Sequence, residues 1–170
     1  MRVHECAIGS EPGAASFAFN AGSPEESGLR ERRYNVPKAK HLIEIDVEVR
    51  CLDALCASFE RLDFVKIDKE GGEMDILEGG RQTIARHRPI LSVEYGAASY
   101  EAYGKTQAAL YEYAQQAEYR LSDLFGTPFL SAQDWAEGCD RYYWDYLTVP
   151  NERFDDVQKP GTGSRPQFAA

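Results

Sequence analysis

Two apolar runs that flank a helical segment restrict the fold of this chain more than any other feature of its sequence. The first run, residues 64–67, ends in the carboxylate of Asp68, and a glycine pair then turns the chain. Residues 73–87 place apolar side chains at helical spacing, and Pro89 ends that helix ahead of the second run, residues 90–95. A strand, a helix and a strand in this order predict two parallel strands joined by a crossover helix.

Further strands and a second helix are predicted on either side of this unit. Apolar and charged residues alternate strictly over residues 43–50, which predicts a strand with one buried face and one solvated face. Shorter strands are predicted at residues 3–8, 15–19, 120–125 and 142–149, and a helix at residues 105–119. The sequence therefore predicts an α/β fold with a mostly parallel sheet and helices packed on its faces.

The length of 170 residues is that of one domain of ordinary size. We assign residues 1–150 to this domain. Residues 20–40 are rich in glycine, serine, proline and charge, and we expect them to form a long loop. Residues 151–170 carry two prolines and two glycines, and we expect them to be a disordered tail.

Charge and cysteine usage limit the classes of partner. The 19 basic and 28 acidic residues give a net charge of −9, which disfavours binding to nucleic acid and to anionic membranes. The sequence has no apolar stretch long enough for a membrane span and no secretory leader, so a cytoplasmic location is predicted. The four cysteines and three histidines lack metal-ligand spacing, and we assign no metal ligand.

The candidate site residues are three carboxylates, Asp68, Glu70 and Glu94. In open α/β sheets, ligands bind beyond the carboxyl ends of the strands. Asp68 and Glu70 follow one predicted strand, Glu94 lies near the end of the next, and parallel neighbours are about 4.8 Å apart. Such carboxylates can hold a divalent cation, orient a substrate hydroxyl or accept its proton. The structural alternative is that Asp68 and Glu70 cap the following helix while Glu94 pairs with Arg88.

An aromatic group late in the chain has two interpretations. Its members are Trp135, Tyr142, Tyr143, Trp144 and Tyr146. They can stack on a ligand, but large aromatic side chains more often cover a core, and we favour the core interpretation.

The segment that begins at the first apolar run carries a motif. It reads Lys66-Ile67-Asp68-Lys69-Glu70-Gly71, followed by Glu73 and by Leu77-Glu78-Gly79. This segment resembles the FkbM family of S-adenosylmethionine-dependent methyltransferases, in which Lys-Ile-Asp-x-Glu-Gly, a Glu two residues on and Leu-x-Gly recur. The flanks at residues 7–9, 47–55 and 88–94 resemble the family as well, and the likeness covers residues 3–150. Lys69 departs from the apolar residue usual at its position.

The resemblance implies a Rossmann-like class I methyltransferase sheet and the use of S-adenosylmethionine to methylate a hydroxyl oxygen of a small molecule or sugar. It also implies that Asp68 and Glu70 position or deprotonate the acceptor, with Glu94 behind them. The likeness is to the C-terminal two-thirds of the family's domain. The first two strands, with the glycine-rich turn that holds the cofactor, have no counterpart in this sequence. We therefore assign no cofactor-binding residue and predict that the chain alone is inactive or impaired.

The missing strands have a structural consequence. In the family's sheet they lie between the strand that corresponds to residues 3–8 and the strand that ends at Asp68. Without them, residues 3–8 lack a neighbour and residues 64–67 form an exposed edge, which favours pairing with a second copy of the chain or with an upstream segment. Two other functions stay open. One is a non-catalytic module that docks a partner through this edge, and the other is a carboxylate-based metal hydrolase, which has no histidine within reach by sequence.

Overall fold

A computed structural model describes residues 2–21 and 42–158, and the strands in this part of the chain form two sheets. The first sheet contains β1 (Ala7–Ile8), β2 (Gly13–Asn20) and β3 (Leu42–Arg50) in the order β1-β3-β2. β1 runs parallel to β3, and β2 runs antiparallel to it. The first sheet is therefore a long antiparallel pair with one short strand added at its edge.

The second sheet contains β4 (Phe64–Ile67), β5 (Ile90–Glu94), β6 (Tyr119–Ser122) and β7 (Asp145–Pro150) in the order β4-β5-β7-β6. β4 and β5 are parallel, as the strand–helix–strand pattern predicts. β7 lies between β5 and β6 and is antiparallel to both. Ser122 at the end of β6 pairs with Leu147 near the start of β7. The connection between them thus stays at one end of the sheet, and β7 has to run back along its neighbours.

The prediction of a mostly parallel sheet is therefore wrong, although the α/β class holds. Among the described strands, two neighbouring pairs are parallel and three are antiparallel. The pattern after residue 60 predicts the parallel β4–β5 unit, but it contains no signal for the direction in which β7 enters the sheet.

Seven helices accompany the strands of the described ranges. They are α1 (Leu52–Cys56), α2 (Glu73–Gly79), α3 (Arg81–His87), α4 (Ala97–Ala102), α5 (Gln107–Gln116), α6 (Ala132–Gly138) and α7 (Phe154–Gln158). Within these ranges, none of the helices has the length and apolar character that crossing a bilayer requires.

The segment predicted as one helix over residues 73–87 is divided into α2 and α3 at Gly80. The Asp53 carboxylate accepts hydrogen bonds from the backbone N–H groups of Gln82 (3.1 Å) and Thr83 (2.7 Å). These two donors lie in the first turn of α3, where a helix has no internal acceptors for its N–H groups. Asp53 thus caps α3 from the preceding helix α1, a long-range contact that local periodicity does not reveal.

Strand β1 and strand β4 occupy outer edges of different sheets, and no strand of the described residues lies between them. The prediction that residues 64–67 form an exposed edge is confirmed, and the Phe64 side chain is 53% exposed. The prediction that residues 3–8 lack a neighbour is wrong, because β1 pairs with β3. Only Ala7 and Ile8 of that segment are in a strand.

Two contacts connect β1 to the segment that follows β4. The Lys69 ammonium donates a hydrogen bond to the carbonyl oxygen of Ile8 (2.6 Å). A Cβ atom at Gly79 would collide with the carbonyl oxygen of Gly9. Helix α2 can therefore lie this close to the end of β1 only because residue 79 is a glycine. Lys69, which departs from the family pattern, therefore serves here to hold the first sheet to the loop after β4.

Strand β3 is present as the alternation predicts, but its predicted burial is wrong. Ile43 is 53% exposed and Ile45 is 44% exposed, so the apolar face of the strand's first half is solvated in this chain. Alternation reports which residues share a face of a strand. It does not report whether the chain supplies a second layer to cover that face.

The main core lies on one face of the second sheet. It contains Ile67, Leu77, Ile84, Leu91, Val93, Tyr95, Tyr100, Leu110, Ala114, Tyr119, Leu121, Trp135 and Tyr146. Trp135 and Tyr146 are buried and 4.7 Å apart at their ring centroids, so the core interpretation is confirmed for them. It is wrong for Tyr142 and Trp144, which are exposed.

The chain stays regular beyond residue 150, where we expected a disordered tail. Residues 151–153 form a 3-10 turn, α7 follows, and Phe154 is buried. The rest of the predicted tail, residues 159–170, lies outside the described residues, as does most of the predicted loop at residues 20–40.

Candidate functional site

The structure brings Asp68, Glu70 and Glu94 together at the carboxyl ends of β4 and β5. One carboxylate oxygen from each residue lies within 4.8 Å of the other two. The strand register explains this proximity, because Ile67 is paired with Val93 and the next residue of each strand is Asp68 or Glu94. Asp68 is exposed, whereas Glu70 and Glu94 are half-buried. We call these three side chains the acid cluster.

The loop after β4 is folded around another carboxylate, that of Glu73. Its Oε1 accepts hydrogen bonds from the backbone N–H groups of Lys69 (2.8 Å) and Gly71 (3.1 Å). Glu70 and Gly71 both have positive φ, 57° and 104°, so the backbone curls tightly between β4 and α2. This curled loop sets the position of Glu70 in the acid cluster.

Glu73 itself is fully buried. Burial raises the pKa of its carboxyl; the backbone hydrogen bonds oppose that rise and the negative charge of Asp68 adds to it. From the sequence, Glu73 is a first-turn residue that favours the positive end of the helix dipole. Its structural role was missed, and the only signal for it was its fixed spacing from Glu70 in the motif.

Lys66 provides a cation beside the acid cluster. Its ammonium lies 3.0 Å from Oδ2 of Asp68 and 2.5 Å from Oδ1 of Asp145, and so connects the end of β4 to the start of β7 across β5. Partial burial lowers the pKa of Lys66, but the hydrogen bonds to Asp145 and Asp68 outweigh it, and the pKa is raised overall. Lys66 therefore stays charged and orients Asp68.

Neither Lys66 nor Asp145 was predicted as a site residue. Lys66 had a recoverable signal, because residues two apart in a strand point to the same face and Asp68 is two residues on. Asp145 had none, because its place depends on the insertion of β7 between β5 and β6.

The alternative in which Glu94 pairs with Arg88 is not what the structure shows. Arg88 instead makes two hydrogen bonds to Glu152, of 2.8 and 2.9 Å, and its guanidinium also donates to the carbonyl oxygens of Ala117 and Glu118. The guanidinium carbon lies 4.5 Å from the centre of the Tyr119 ring. Arg88 is therefore a structural residue at the opposite end of the strands from the acid cluster.

A cavity of about 770 Å³ lies at that opposite end, between α3, α5 and the start of β6. Its charged lining includes Arg88 and Glu152, whose ion pair joins the segment before β5 to the 3-10 turn at residues 151–153. None of the three carboxylates of the acid cluster lines it. We therefore place the candidate site at the acid cluster, at the end of the sheet where α/β proteins bind ligands.

The acid cluster has two kinds of chemistry available. Carboxylate oxygens are ligands that Mg²⁺ and Ca²⁺ prefer, and the three residues are close enough to share one ion. Carboxylates also accept hydrogen bonds or protons from an alcohol. Within the described part of the chain, no histidine or cysteine belongs to a group with metal-ligand geometry, so the donor set consists of oxygen alone.

In α/β proteins, the region beyond the carboxyl ends of parallel strands, where these acidic side chains lie, is the usual place for a ligand. A family model described as the methyltransferase FkbM domain matches residues 2–121. This chain belongs to the FkbM methyltransferase family, as its motif indicates. Comparison with curated proteins and with solved structures gave no match.

Proposed function

We propose that this chain is the acceptor-binding part of an S-adenosylmethionine-dependent methyltransferase that acts on a hydroxyl oxygen of a small molecule or sugar. Family membership supports methyl transfer. The observation that carries the choice of a hydroxyl is the acid cluster, in which three carboxylates converge at the ligand-binding end of the sheet.

The acid cluster suits a hydroxyl because an alcohol is a weak nucleophile until its proton is held or removed. Asp68 is exposed and is oriented by Lys66, so it can reach an acceptor that approaches from solvent. Glu70 and Glu94 lie farther in and offer further oxygens to the same group. In the proposed reaction, a carboxylate oxygen would accept the hydroxyl proton while the alcohol oxygen forms its bond to the methyl carbon, and the carbon–sulfur bond of the methyl donor would break to release S-adenosylhomocysteine.

We infer that the described residues hold only part of a cofactor site. The family's cofactor sits on a glycine-rich turn after an inner strand. In residues 2–21 and 42–158, no strand lies between β1 and β4. We therefore propose that an upstream segment or a second copy of the chain completes the sheet next to β4 and holds S-adenosylmethionine.

Methyl transfer with a deuterated methyl donor and mass spectrometry tests the proposal. With the donor at millimolar concentration, to offset weak binding, we expect slow O-methylation within a set of ring alcohols and glycosides. Asp68→Asn and Glu94→Gln should each lower the rate by about a hundredfold, because each removes a group that holds or accepts the proton. Glu112→Gln, at an exposed carboxylate of α5, is the matched control and should keep the rate. Acid-cluster variants as fast as the control would refute the role of these carboxylates.

One observation favours a second candidate, a non-catalytic module that docks a partner through the edge of β4. This edge is free of any strand of the described residues, and Phe64 is exposed on it. The methyl-transfer experiment also distinguishes the two candidate functions. The module predicts no methylated product from any variant, and it predicts a dimer or complex that Asp68→Asn leaves intact.

We further propose that the protein acts in the cytoplasm. Cys6, Cys51, Cys56 and Cys139 are all free thiols, as is usual in a reducing compartment. This proposal agrees with a reaction on a metabolite-sized acceptor rather than on nucleic acid or a membrane surface.

A further inference from the structure

The face of the second sheet that carries the acid cluster also carries Lys66 and Asp145. Asp68 and Glu94 are neighbours at the ends of β4 and β5, and Glu94 is paired with Asp145 of β7. Lys66 precedes Asp68 by two residues, and side chains two residues apart in a strand point to the same face. Three carboxylates of different strands therefore form a row on one face, with the lysine beside them.

The Lys66 side chain reaches across β5. Its ammonium donates one hydrogen bond to Oδ2 of Asp68 (3.0 Å) and another to Oδ1 of Asp145 (2.5 Å). β5 lies between β4 and β7, so these two outer strands are about 10 Å apart. The ammonium is therefore held from two strands at once, over the end of the strand that carries Glu94.

This position of the ammonium bears on metal binding, one of the two kinds of chemistry available to the acid cluster. A divalent ion shared by the three carboxylates would need an oxygen of Asp68, whose Oδ2 already accepts from Lys66. The ion would then lie a few ångströms from a positive charge, which repels it. Displacement of the ammonium would not remove this competitor, because the side chain stays tethered to β4 at high effective concentration.

The same position suits the other kind of chemistry, which is proton acceptance from a hydroxyl. The ammonium offsets part of the repulsion among the carboxylates and holds Asp68 in one orientation. It is a proton donor and a point charge, not a Lewis acid with open coordination positions. A hydroxyl at this site therefore has to be activated by a carboxylate that accepts its proton.

From these contacts we infer that Lys66 is the built-in cation of the acid cluster, in the place of a divalent metal ion, and that methyl transfer at this site needs no metal. Lys66 is then a positioning residue that acts through Asp68, and Asp145 anchors it from β7. This inference rests on the proposed function, since it specifies how the acid cluster activates the hydroxyl in that same reaction.

Titration with Mn²⁺, followed by electron paramagnetic resonance of the free ion, tests the inference without methyl transfer. We expect the unsubstituted chain to bind Mn²⁺ with a Kd above about 1 mM. Lys66→Met retains a side chain of similar length without the charge. It should bind Mn²⁺ at least about tenfold more tightly, because the carboxylates then lack the Lys66 ammonium. Lys66→Arg retains the positive charge and should bind as weakly as the unsubstituted chain.

Two further variants serve as controls. Arg86→Met removes one positive charge from the last turn of α3, at the other end of the second sheet, and should leave the weak binding unchanged. Lys66→Met combined with Asp68→Asn removes one carboxylate of the acid cluster. This double variant should return the Kd to within about twofold of the unsubstituted value, since the ion then loses a ligand.

Thermal unfolding of every variant shows whether it is folded, and Lys66→Gln replaces the methionine variant if that variant is unstable. Binding of Mn²⁺ by the unsubstituted chain below about 100 μM, lost in Asp68→Asn, would overturn the inference. So would a folded chain without the Lys66 charge that binds Mn²⁺ no more tightly than Arg86→Met does.

The methyl-transfer assay, run with and without EDTA, separates this inference from the proposed function. A chain that shows the expected Mn²⁺ pattern but methylates no hydroxyl refutes the proposed reaction and supports Lys66 as the cation of the acid cluster. A chain whose methylation stops in EDTA and returns with Mg²⁺ supports the reaction and refutes the inference.

Discussion

Gly71→Ala is expected to lower the free energy of unfolding by roughly 4 kcal/mol, because two separate costs add. The backbone at Gly71 has a φ of 104°, a conformation that side-chain-bearing residues rarely adopt. A Cβ atom there would also collide with the carbonyl oxygen of Ser99, which belongs to the backbone of α4 and cannot turn away. The loop after β4 would have to move, and Glu70 would leave the acid cluster.

Chemical denaturation of the variant and of the unsubstituted chain measures this loss. Gly104→Ala is the matched control, since Gly104 also has positive φ, 67°, but a Cβ atom added there would meet open space. The control should lose only about 1 kcal/mol, the cost of the left-handed conformation alone. Equal losses in the two variants would show that α4 does not pack against the loop as described.

The second large effect is expected at Glu73. Glu73→Ala removes the acceptor of the Lys69 and Gly71 N–H groups and leaves a gap in a buried site. Each buried donor without an acceptor costs about 1–3 kcal/mol, so the variant should lose about 3 kcal/mol or more. Glu73→Gln retains an oxygen at the same place, and we expect it to lose less than about 1 kcal/mol.

The stability difference between the unsubstituted chain and Glu73→Gln should also depend on pH. The pKa of Glu73 is raised in the folded chain above its ordinary value of 4.5, chiefly by burial. The folded state therefore binds a proton more tightly than the unfolded state does. The stability that this proton contributes is fully present below pH 4.5 and is lost as the pH rises through the folded-state pKa.

Unfolding curves of the unsubstituted chain and of Glu73→Gln, recorded from acid to neutral pH, measure this effect. The difference in stability between the two should move in favour of the glutamine variant as the pH rises. A difference that is constant with pH, or an alanine variant as stable as the glutamine variant, would contradict the buried loop-folding role of Glu73.

The parallel β4–β5 unit and the proximity of the acid cluster follow from the sequence for a physical reason. An apolar run ending in a carboxylate, a glycine pair, a helix and a second apolar run place both strand ends at one edge of the sheet. Asp68 and Glu94 are then neighbours whatever surrounds them. Local periodicity is sufficient to predict this arrangement, because both strands are short and one crossover joins them.

Features that depend on distant parts of the chain were not predictable. The break at Gly80 depends on Asp53, which lies in the preceding helix α1. The place of Asp145 depends on where β7 inserts. The exposure of Ile43 depends on whether another layer covers β3. The alternation of apolar and charged residues along the strand is the same with and without such a layer.

Our central proposal is that this chain retains the acceptor side of an FkbM-type sheet and that its described residues hold only part of a site for the methyl donor. Calorimetric titration of the chain with S-adenosylmethionine tests it most directly. The account predicts no binding in the low-micromolar range at chain concentrations at which sedimentation shows a monomer. A saturable one-to-one isotherm with a low-micromolar Kd from the monomer would contradict it, since such affinity requires a cofactor site already complete within one copy of these 170 residues.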